Sequence, residues 1–444
     1  MKNDFNTIKY AKIITLGCRV NQYESRALSE SLEKYNIRSV SSDDHDSSAM
    51  PDVCIVNTCA VTAESERKSR QMVRRLHRQY PTSPIAVMGC SSQLLRETFA
   101  KMDGVHLVAG CRNKTTIAKD VAALCYGESP SLLIADQTFS SDAPLCDTPI
   151  SAFDRIRAYV KIEDGCNGNC AYCIIKKARG EVVSRDEEDI VSEIRLLAKN
   201  GCKEVVLTGI ETSAYAHDLA SLIKKVDAIE GIERIRLGSM DPAAIKAEFV
   251  DAIADCRHFM PHMHLSLQSG CSRTLKMMRR KYNADQAMKA IDLIRSAFPS
   301  ANLSADIICG FPGESDLDFE ETLSFCRKAR LLHAHMFTYS IRPDTEAASM
   351  PDQLSEEIKS KRSATLSKLQ SDIKRSILDS YVANTALDTV LIETYSDGIA
   401  KGHTPSFIEC ELRCDTDLRG EIVSVKPASH NGDIVACKLI DRVI

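Results

Sequence analysis

The sequence predicts an α/β protein in three parts: an open parallel α/β domain at residues 8–126, a partial (β/α)6 barrel at residues 152–384 and a small antiparallel β-barrel at residues 385–444. The first two parts rest on short β-like runs that alternate with helical stretches, the pattern of parallel sheets. A linker rich in Ser, Pro, Asp and Thr separates them at residues 127–151. The third part rests on short alternating runs between turn signals, which are typical of antiparallel strands.

Cysteines follow several predicted strands of the first domain. These strands are expected at residues 11–16, 52–56, 85–88 and 105–109, and the first helix from about residue 24. Cys18, Cys59 and Cys90 come after the first three strands. Because the carboxyl ends of parallel strands meet at one edge of an open sheet, we expect these thiols to converge. Cys111 follows the fourth strand in the same way, so position alone does not separate it from them.

Three further cysteines stand close together after the first barrel strand. Cys166, Cys170 and Cys173 have the spacing C-x-x-x-C-x-x-C. Three thiolates can hold three corners of a cubane iron–sulfur cluster and leave one iron open, whereas structural zinc takes four protein ligands. The alternatives are incidental cysteines or a zinc site completed from afar. An open iron can bind the amine and carboxylate of S-adenosylmethionine, whose reductive cleavage releases a radical.

The predicted barrel places further candidate cofactor contacts at strand ends, where chemistry on such barrels occurs. Its six strands are expected at residues 158–162, 204–208, 234–237, 264–267, 304–309 and 334–339. Gly209 ends the second strand and leaves room for the methionyl part of the cofactor. Gln268 ends the fourth, where an amide can bind ribose hydroxyls, and Gly310 builds a tight turn after the fifth. Tyr172 either shields the cluster, stacks near the adenine or serves as ordinary packing.

Charge limits where nucleic acid can bind. With 57 Lys and Arg against 61 Asp and Glu, the net charge is −4, so any basic surface must be local. A helix predicted at residues 64–80 carries an arginine stripe opposite an apolar face, formed by Arg67, Arg70, Arg74 and Arg78. A phosphate-binding surface and a solvated face explain this stripe equally well. Residues 385–444 hold ten acidic and six basic side chains, a poor composition for gripping RNA.

The cysteine content indicates a reducing compartment. Eighteen cysteines without a signal-peptide pattern or a membrane-spanning apolar run are expected to be reduced thiols or metal ligands of a cytoplasmic protein, with no membrane partner. We interpret other clusters as ordinary barrel and core residues, namely His262, His264, His333, His335, Cys410, Cys414 and Cys437. No motif predicts an oligomeric state.

Several motifs together resemble those of the methylthiotransferase family of radical S-adenosylmethionine enzymes. The three N-terminal motifs are Leu16-Gly17-Cys18-Arg19-Val20-Asn21-Gln22, Asn57-Thr58-Cys59-Ala60-Val61-Thr62 and Met88-Gly89-Cys90-Ser91-Ser92-Gln93. The stretch at 165–180 with Ser184-Arg185 is similar to the family's radical motif, and further matches lie at 264–271, 279–282, 305–314 and 337–340. The resemblance covers nearly the whole chain. It implies an N-terminal methylthiotransferase domain, a radical SAM barrel and a C-terminal β-barrel of the TRAM type.

Within the family, the first two motifs are most similar to the branch acting on N6-threonylcarbamoyladenosine in tRNA. The resemblance implies addition of a methylthio group to C2 of that nucleoside, beside the anticodon. It implies two [4Fe-4S] clusters, one on Cys166, Cys170 and Cys173 and one on Cys18, Cys59 and Cys90. The implied partners are a tRNA anticodon stem-loop and a flavodoxin- or ferredoxin-like electron donor.

Three alternatives share part of this pattern. Family branches that act on isopentenyladenosine, or on an aspartate of a ribosomal protein, have the same cluster motifs. A non-enzymatic RNA-binding or metal-storage protein is the third. The arginine stripe and the TRAM-like tail favour an RNA substrate over a protein one.

Three positions depart from the family pattern. Lys176 stands where proline is frequent, Glu211 where small or polar residues are usual, and Asp344 where glycine is usual. These predict extra positive charge in the cluster loop, a carboxylate near the cofactor and a changed turn. Because the last segment is acidic, we expect RNA contacts from the arginine stripe and from residues 276–281.

Overall fold

The computed structural model describes residues 7–40, 50–112, 114–127, 133–134, 149–153 and 156–442. Most of the linker predicted at residues 127–151 lies outside these ranges. The N-terminal, central and C-terminal parts form the three architectures that the sequence predicts.

The N-terminal domain is a six-stranded parallel sheet between helices. Its strands are β1 Lys9–Thr15, β2 Ile37–Val40, β3 Val53–Thr58, β4 Ile85–Gly89, β5 Val105–Val108 and β6 Leu133–Ile134, in the order β2-β1-β3-β4-β5-β6. Its helices are α1 Arg19–Glu33, α2 Ala63–Gln79, α3 Cys90–Leu94, α4 Arg96–Ala100 and α5 Lys114–Cys125. Apolar clusters cover both faces of the sheet. The four predicted strands are confirmed, while β2 and β6 were not predicted.

The first helix begins at Arg19, so the predicted start near residue 24 is wrong. Cys18 is its N-cap residue. Gly17 has a φ of +103°, and a Cβ there would lie 3.1 Å from the Cys59 Sγ. The chain therefore turns from strand into helix within two residues, around the thiol of a neighbouring strand.

The central domain is a partial barrel of parallel strands. Its strands are β7 Arg157–Lys161, β8 Glu163–Asp164, β9 Val183–Ser184, β10 Glu204–Thr208, β11 Arg234–Leu237, β12 Ser239–Met240, β13 His262–Gln268, β14 Asn302–Cys309 and β15 His333–Thr338. The wall has two pieces, β11-β10-β7 and β12-β13-β14-β15, and β11 also bridges to Phe259 ahead of β13. The six predicted strands are confirmed, and β8 pairs with β9 around the cysteine loop.

Helices flank this barrel, most of them on its outside and the first in the loop that carries the cysteines. They are α6 Ile175–Arg179, α7 Glu187–Lys199, α8 Leu219–Asp227, α9 Ala247–Ala254, α10 Ser272–Met277, α11 Ala284–Ala297, α12 Asp316–Ala329 and α13 Glu356–Ala383. Within the described ranges, no helix has the length and apolar character needed to cross a membrane.

Side chains alternate between the two faces of each barrel strand. On β7, Ala158 and Val160 join the apolar core between strands and helices. Arg157, Tyr159 and Lys161 therefore point into the barrel, a space that we call the lumen. By the same alternation, the lumen also receives Glu204, Arg234, Arg236, His262, His264, Gln268, Ser304, Asp306, His333 and His335.

The C-terminal domain is a closed five-stranded barrel. Its strands are β16 Asp388–Ser396, β17 Ile399–His403, β18 Glu409–Arg413, β19 Ile422–His430 and β20 Val435–Arg442. The predicted β-barrel is confirmed, although β17 was not predicted and β18 pairs with β20 in parallel. It packs against the amino ends of the central strands, where Arg234 donates to His403 O at 2.8 Å and Arg236 to Thr404 O at 2.9 Å.

The N-terminal domain docks at the opposite, carboxyl end of the central barrel. The Ala63 amide donates to Ser340 Oγ at 3.0 Å, and Arg342 pairs with Glu66 at 2.7 Å. Arg112 donates to the Glu181 carbonyl at 2.8 Å. The carboxyl edge of the first sheet therefore faces the loop that carries Cys166, Cys170 and Cys173.

Candidate active site at the domain interface

Cys166, Cys170 and Cys173, here called the triad, gather in the loop between β8 and α6. The Cys166 amide donates to Gly180 O at 3.1 Å, and the Cys173 amide donates to Cys170 O at 3.1 Å. A Cβ on Gly168 would lie 3.1 Å from Cys166 Sγ and 3.8 Å from Cys170 Sγ. Burial, with a contribution from the other two thiols, raises the pKa of Cys173 to about 12. The three half-buried thiols of this loop thus interact electrostatically, and their role as a cluster site stays a prediction.

Two side chains from the loop and barrel border the triad. Arg280 donates to Cys170 Sγ at 3.2 Å and to Asp241 Oδ2 at 3.0 Å. Tyr172 packs edge-to-face on Phe311, with ring centroids 6.5 Å apart. Tyr172 therefore has a packing role beside the triad, and its contact with the adenine stays a prediction.

Cys18, Cys59 and Cys90, here called the N-terminal set, lie at the carboxyl edge of the first sheet. Cys59 and Cys90 are buried, whereas Cys18 is exposed. Cys18 Sγ lies 3.5 Å from Asn21 Oδ1. Burial raises the pKa of Cys59, and the nearby Cys90 thiol adds to this rise. The set therefore has one open side, at Cys18, and its role as a cluster site stays a prediction.

A fully buried charge network lies behind Cys90. Its cations are Arg179, Lys161 and Lys114, and its carboxylates are Glu24 and Asp164. Arg179 donates to Cys90 Sγ at 3.1 Å, to Glu24 Oε1 at 2.8 Å and to Asp164 Oδ1 at 2.9 Å. Three cations thus face two carboxylates in this network, and Arg179 also lowers the pKa of Cys90.

The same surroundings give Cys90 and Cys111 different pKa values, although both cysteines follow a strand and are alike in the sequence pattern. A hydrogen bond with Cys111 lowers the pKa of Cys90 to about 7, against burial and with the help of Arg179. That bond and burial raise the pKa of Cys111 well above its usual value. Cys111 Sγ also lies 3.0 Å from Ala178 O, an acceptor that favours a protonated thiol. Cys90 is therefore the more acidic thiol of this pair.

Both cysteine groups belong to one interface. Cys90 packs with Ala60 against Ile174 and Ala178, which follow the triad directly in sequence. Arg179 ends the same helix, α6, and donates to Cys90. The loop that carries the triad thus also supplies the surroundings of the N-terminal set.

Gly209 lies against the carboxyl group of Glu163. A Cβ there would lie 1.8 Å from Glu163 Oε1, so glycine is required. This oxygen accepts from the Glu211 amide at 2.8 Å, while the buried Oε2 has no hydrogen-bond partner among the described residues. Burial raises the pKa of Glu163 to about 8, with a contribution from Asp164. A buried carboxyl oxygen without a donor is costly, so this site fits the amine of S-adenosylmethionine.

Backbone strain marks Gln268 as a functional candidate, whereas the turn and its packing account for Gly310. Gln268 has a φ of +67° where the register between β13 and β14 shifts, and its lumen-facing amide has no hydrogen bond within the described ranges. Backbone strain of this kind is frequent at functional sites. At Gly310, the amide donates to Glu314 Oε2 at 2.7 Å, and a Cβ would lie 2.5 Å from Lys359 Cγ. Turn geometry and packing account for Gly310, and cofactor contact stays a prediction for both.

Among the described residues, the cysteine groups do not form a single-ion site, and their role as cluster ligands stays a prediction. No three His, Cys, Asp or Glu side chains in the described part of the chain are close enough to hold one metal ion. Each thiolate on a cubane cluster binds a different iron, so its ligands stand further apart. The lumen histidines have other partners, since His262 and His264 both contact Ser304 Oγ, at 3.1 Å and 2.9 Å.

Acidic neighbours neutralise half of the predicted arginine stripe on α2. Arg67 pairs with Glu64 at 2.6 Å, and Arg70 pairs with Glu66. Arg74 and Arg78 are exposed and form no ion pair with any described residue. The RNA contact expected at Arg280 is wrong, because this buried side chain binds Cys170, whereas Arg279 pairs with Glu346 at 2.7 Å.

The sequence pattern missed the charged residues behind the cysteines. Glu163 and Asp164 stand directly before Gly165-Cys166, so two acids beside a cysteine motif were the available signal. Glu24 and Arg179 are 155 positions apart, and no local pattern connects them.

Family models match two parts of the chain. Residues 160–326 match the Radical SAM superfamily, and residues 10–110 match Uncharacterized protein family UPF0004. These ranges contain the triad and the N-terminal set respectively.

Relatives match over most of the chain. Threonylcarbamoyladenosine tRNA methylthiotransferase MtaB of Chlamydia pneumoniae is 36% identical over 400 residues, 89% of this chain and 90% of the relative. The protein of that name in Bacillus subtilis is 32% identical over 423 residues, 93% of this chain and 92% of the relative. The tRNA-2-methylthio-N(6)-dimethylallyladenosine synthase of Pelotomaculum thermopropionicum is 33% identical over 436 residues, 94% of this chain and 95% of the relative.

A solved structure shares the fold. The radical S-adenosylmethionine methyltransferase TsrM of Kitasatospora setae, with cobalamin and a [4Fe-4S] cluster bound, superposes with a TM-score of 0.56 over 77% of each chain at 13% identity. Together with the motifs and the relatives above 30% identity, the fold leads to one conclusion. The chain belongs to the radical SAM methylthiotransferase family and is an enzyme that uses iron–sulfur chemistry with S-adenosylmethionine.

Proposed function

We propose that this enzyme adds a methylthio group to C2 of N6-threonylcarbamoyladenosine beside the anticodon of a tRNA. The observation that carries the proposal is the shared interface: Arg179, at the end of the triad loop, donates to Cys90 of the N-terminal set. Two thiol groups on one interface suit a reaction with two tasks, activation of an inert C–H bond and delivery of sulfur. The substrate named for the MtaB relatives supports the choice of nucleoside.

In this proposal, Cys166, Cys170 and Cys173 hold one [4Fe-4S] cluster and Cys18, Cys59 and Cys90 hold a second. When bound, these groups and S-adenosylmethionine supply radical chemistry, sulfur and a methyl group. An electron donor of the flavodoxin or ferredoxin type serves them. An enzyme with this substrate works where tRNA is found, in the cytoplasm.

The chain's own residues orient and enclose the reactants. The buried carboxyl group of Glu163 and the half-buried one of Glu211 attract the cationic amine and sulfonium of S-adenosylmethionine. Arg280 fixes Cys170, and Tyr172 packs on Phe311 beside the triad. The Gln268 amide is free to bind ribose hydroxyls.

Anaerobic reconstitution tests the two-cluster arrangement. We expect about eight iron atoms per wild-type chain and about four in Cys18→Ala and in Cys166→Ala. Cys166→Ala should release no 5′-deoxyadenosine from S-adenosylmethionine, whereas Cys18→Ala should still release it. Four irons in the wild type would overturn the role given to the N-terminal set.

Nucleoside analysis of tRNA from a deletion strain tests the substrate. We expect loss of the methylthio group from N6-threonylcarbamoyladenosine only. Loss from the dimethylallyl nucleoside would favour the function named for the Pelotomaculum relative. Unchanged tRNA would favour a protein side chain as substrate.

A further inference from the structure

Arg19 occupies a position between the N-terminal set and the lumen. It is the first residue of α1 and follows Cys18 directly. Its guanidinium lies over the ring of Tyr159, 5.9 Å from the centroid. Because Tyr159 points from β7 into the lumen, Arg19 reaches the carboxyl mouth of the barrel from the facing domain.

The guanidinium of Arg19 has no anionic partner in the part of the chain that the structure describes. Among the described residues, Arg19 forms no ion pair and no hydrogen bond, although its side chain is half-buried. Other arginines of the barrel interior are all paired: Arg157 and Arg236 bind Glu204 at 3.1 Å and 3.0 Å, and Arg280 binds Asp241 at 3.0 Å. A partly desolvated guanidinium without a carboxylate is a ready site for an anionic ligand.

The opposite wall carries two histidines and one carboxylate, and none of them is bonded to Arg19. The carboxylate is Asp306, whose Oδ1 lies 3.3 Å from His264 Nε2. The His335 ring lies 5.4 Å from the His264 ring. Burial, then His264, lowers the pKa of His335, whereas Asp306 raises it and Arg19 lowers it. The half-buried guanidinium of Arg19, which no described carboxylate binds, therefore favours a carboxylate over an apolar substituent.

We propose that Arg19 is the residue that selects a nucleoside with a carboxylate on its N6 substituent. This inference rests on the proposed function, since N6-threonylcarbamoyladenosine carries a free carboxylate at that position. An apolar N6 substituent would leave the guanidinium unpaired in a partly desolvated site. Sites built to bind a charged or polar group discriminate strongly against analogues that lack it.

Kinetics with matched RNAs test the role of Arg19. Three anticodon stem-loops would carry the threonylcarbamoyl group, its carboxamide analogue or a dimethylallyl group. We expect the wild-type holoenzyme to favour the acid over the amide by at least about tenfold in kcat/KM. In Arg19→Gln, kcat/KM should fall for the acid and stay unchanged for the amide, so that the preference disappears. Arg19→Lys should retain part of the preference.

Controls separate recognition from folding. Arg38→Gln, at an exposed position on β2, should keep the wild-type preference. The iron content of Arg19→Gln should equal that of the wild type, which would show that the fold and the cysteine groups are intact. Binding of the stem-loops, measured by fluorescence anisotropy, does not depend on turnover. In Arg19→Gln, the affinity for the acid should no longer exceed the affinity for the amide.

The outcomes distinguish this inference from the function on which it rests. If the wild type modifies the acid and the amide equally, or if Arg19→Gln keeps the preference, the role of Arg19 is overturned while the proposed function stands. If the wild type modifies only the dimethylallyl RNA, the proposed function is wrong and the role of Arg19 falls with it.

Discussion

At the scale of single residues, each cysteine group has one arginine bonded to a sulfur. Arg280 donates to Cys170 at 3.2 Å, and Arg179 donates to Cys90 at 3.1 Å. A donor and a positive charge at a cysteine sulfur stabilise the thiolate and tune the reduction potential of a bound cluster. Both arginines come from outside the cysteine spacing that marks the site in sequence.

Arg280→Gln should lower the rate of 5′-deoxyadenosine release by about tenfold to hundredfold, because outer contacts of metal ligands have effects of that size. The midpoint potential of the cluster on the triad, measured by redox titration with EPR detection, should become more negative in this variant because a positive charge is lost. Arg279→Gln is the matched control, since that neighbouring side chain is exposed and pairs with Glu346. An unchanged potential in Arg280→Gln would contradict this role.

Arg179→Met should reduce the free energy of unfolding by about 3–5 kcal/mol, because it leaves the buried carboxylates of Glu24 and Asp164 without their main cation. Urea unfolding of the reconstituted protein measures this loss. Arg179→Lys keeps the charge and should lose less stability. Equal losses in both variants would show that shape, and not charge, is what this position requires.

At the scale of elements, the turns after strands decide what fits beside the cysteines. Gly209→Ala should weaken S-adenosylmethionine binding by at least about tenfold, because its Cβ would displace the Glu163 carboxyl group. Calorimetry of cofactor binding is the measurement. Gly201→Ala is the control: its φ is +90° with open space around it, so it should cost about 1 kcal/mol of stability and leave binding intact. Normal binding by Gly209→Ala would argue against the carboxylate site.

Two arginines of the α2 stripe, Arg74 and Arg78, are exposed without an ion pair to a described residue and can contact RNA. In Arg74→Gln/Arg78→Gln, we expect weaker binding of the stem-loop. The slope of log K against log salt concentration should also become shallower by about one to two, because each phosphate contact contributes roughly 0.7–0.9 to that slope. Arg195→Gln/Lys199→Gln removes two exposed charges from α7 and should leave both quantities unchanged. If this face of α2 contacts only solvent, the two double variants should have the same affinity for the stem-loop and the same salt dependence.

At the scale of the whole molecule, one buried carboxylate helps to join the two barrels. Glu204 pairs with Arg157, Arg236 and Arg234 at 3.1, 3.0 and 3.9 Å, and Arg234 and Arg236 also donate to backbone carbonyls of the C-terminal barrel. Burial opposes ionisation of Glu204, but these three guanidinium groups lower its pKa to about 2 from 4.5.

A carboxylate with a lowered folded pKa stabilises above its unfolded pKa and loses that contribution as pH falls through the folded value. We therefore expect the contribution of Glu204 to be complete above about pH 4.5 and to disappear toward pH 2. Urea unfolding from pH 6 to pH 3 measures it. Glu204→Gln should be less stable at pH 6 and show a flatter pH dependence, and an unchanged slope would assign the acid sensitivity to other carboxylates.

The sequence by itself determined the α/β alternation, the three parts of the chain and the cysteine positions at strand ends, because these are local patterns of period and spacing. It did not separate Cys90 from Cys111, since both follow a strand, and it placed the start of α1 too late. Only the tertiary structure decided that Arg179 contacts Cys90, that Arg280 contacts Cys170 and that Arg19 reaches the lumen without an ion pair to any described residue. The physical reason is distance along the chain: Arg179 and Arg280 lie 89 to 155 positions from these partners and from Glu24, and only packing within and between the domains brings them into contact.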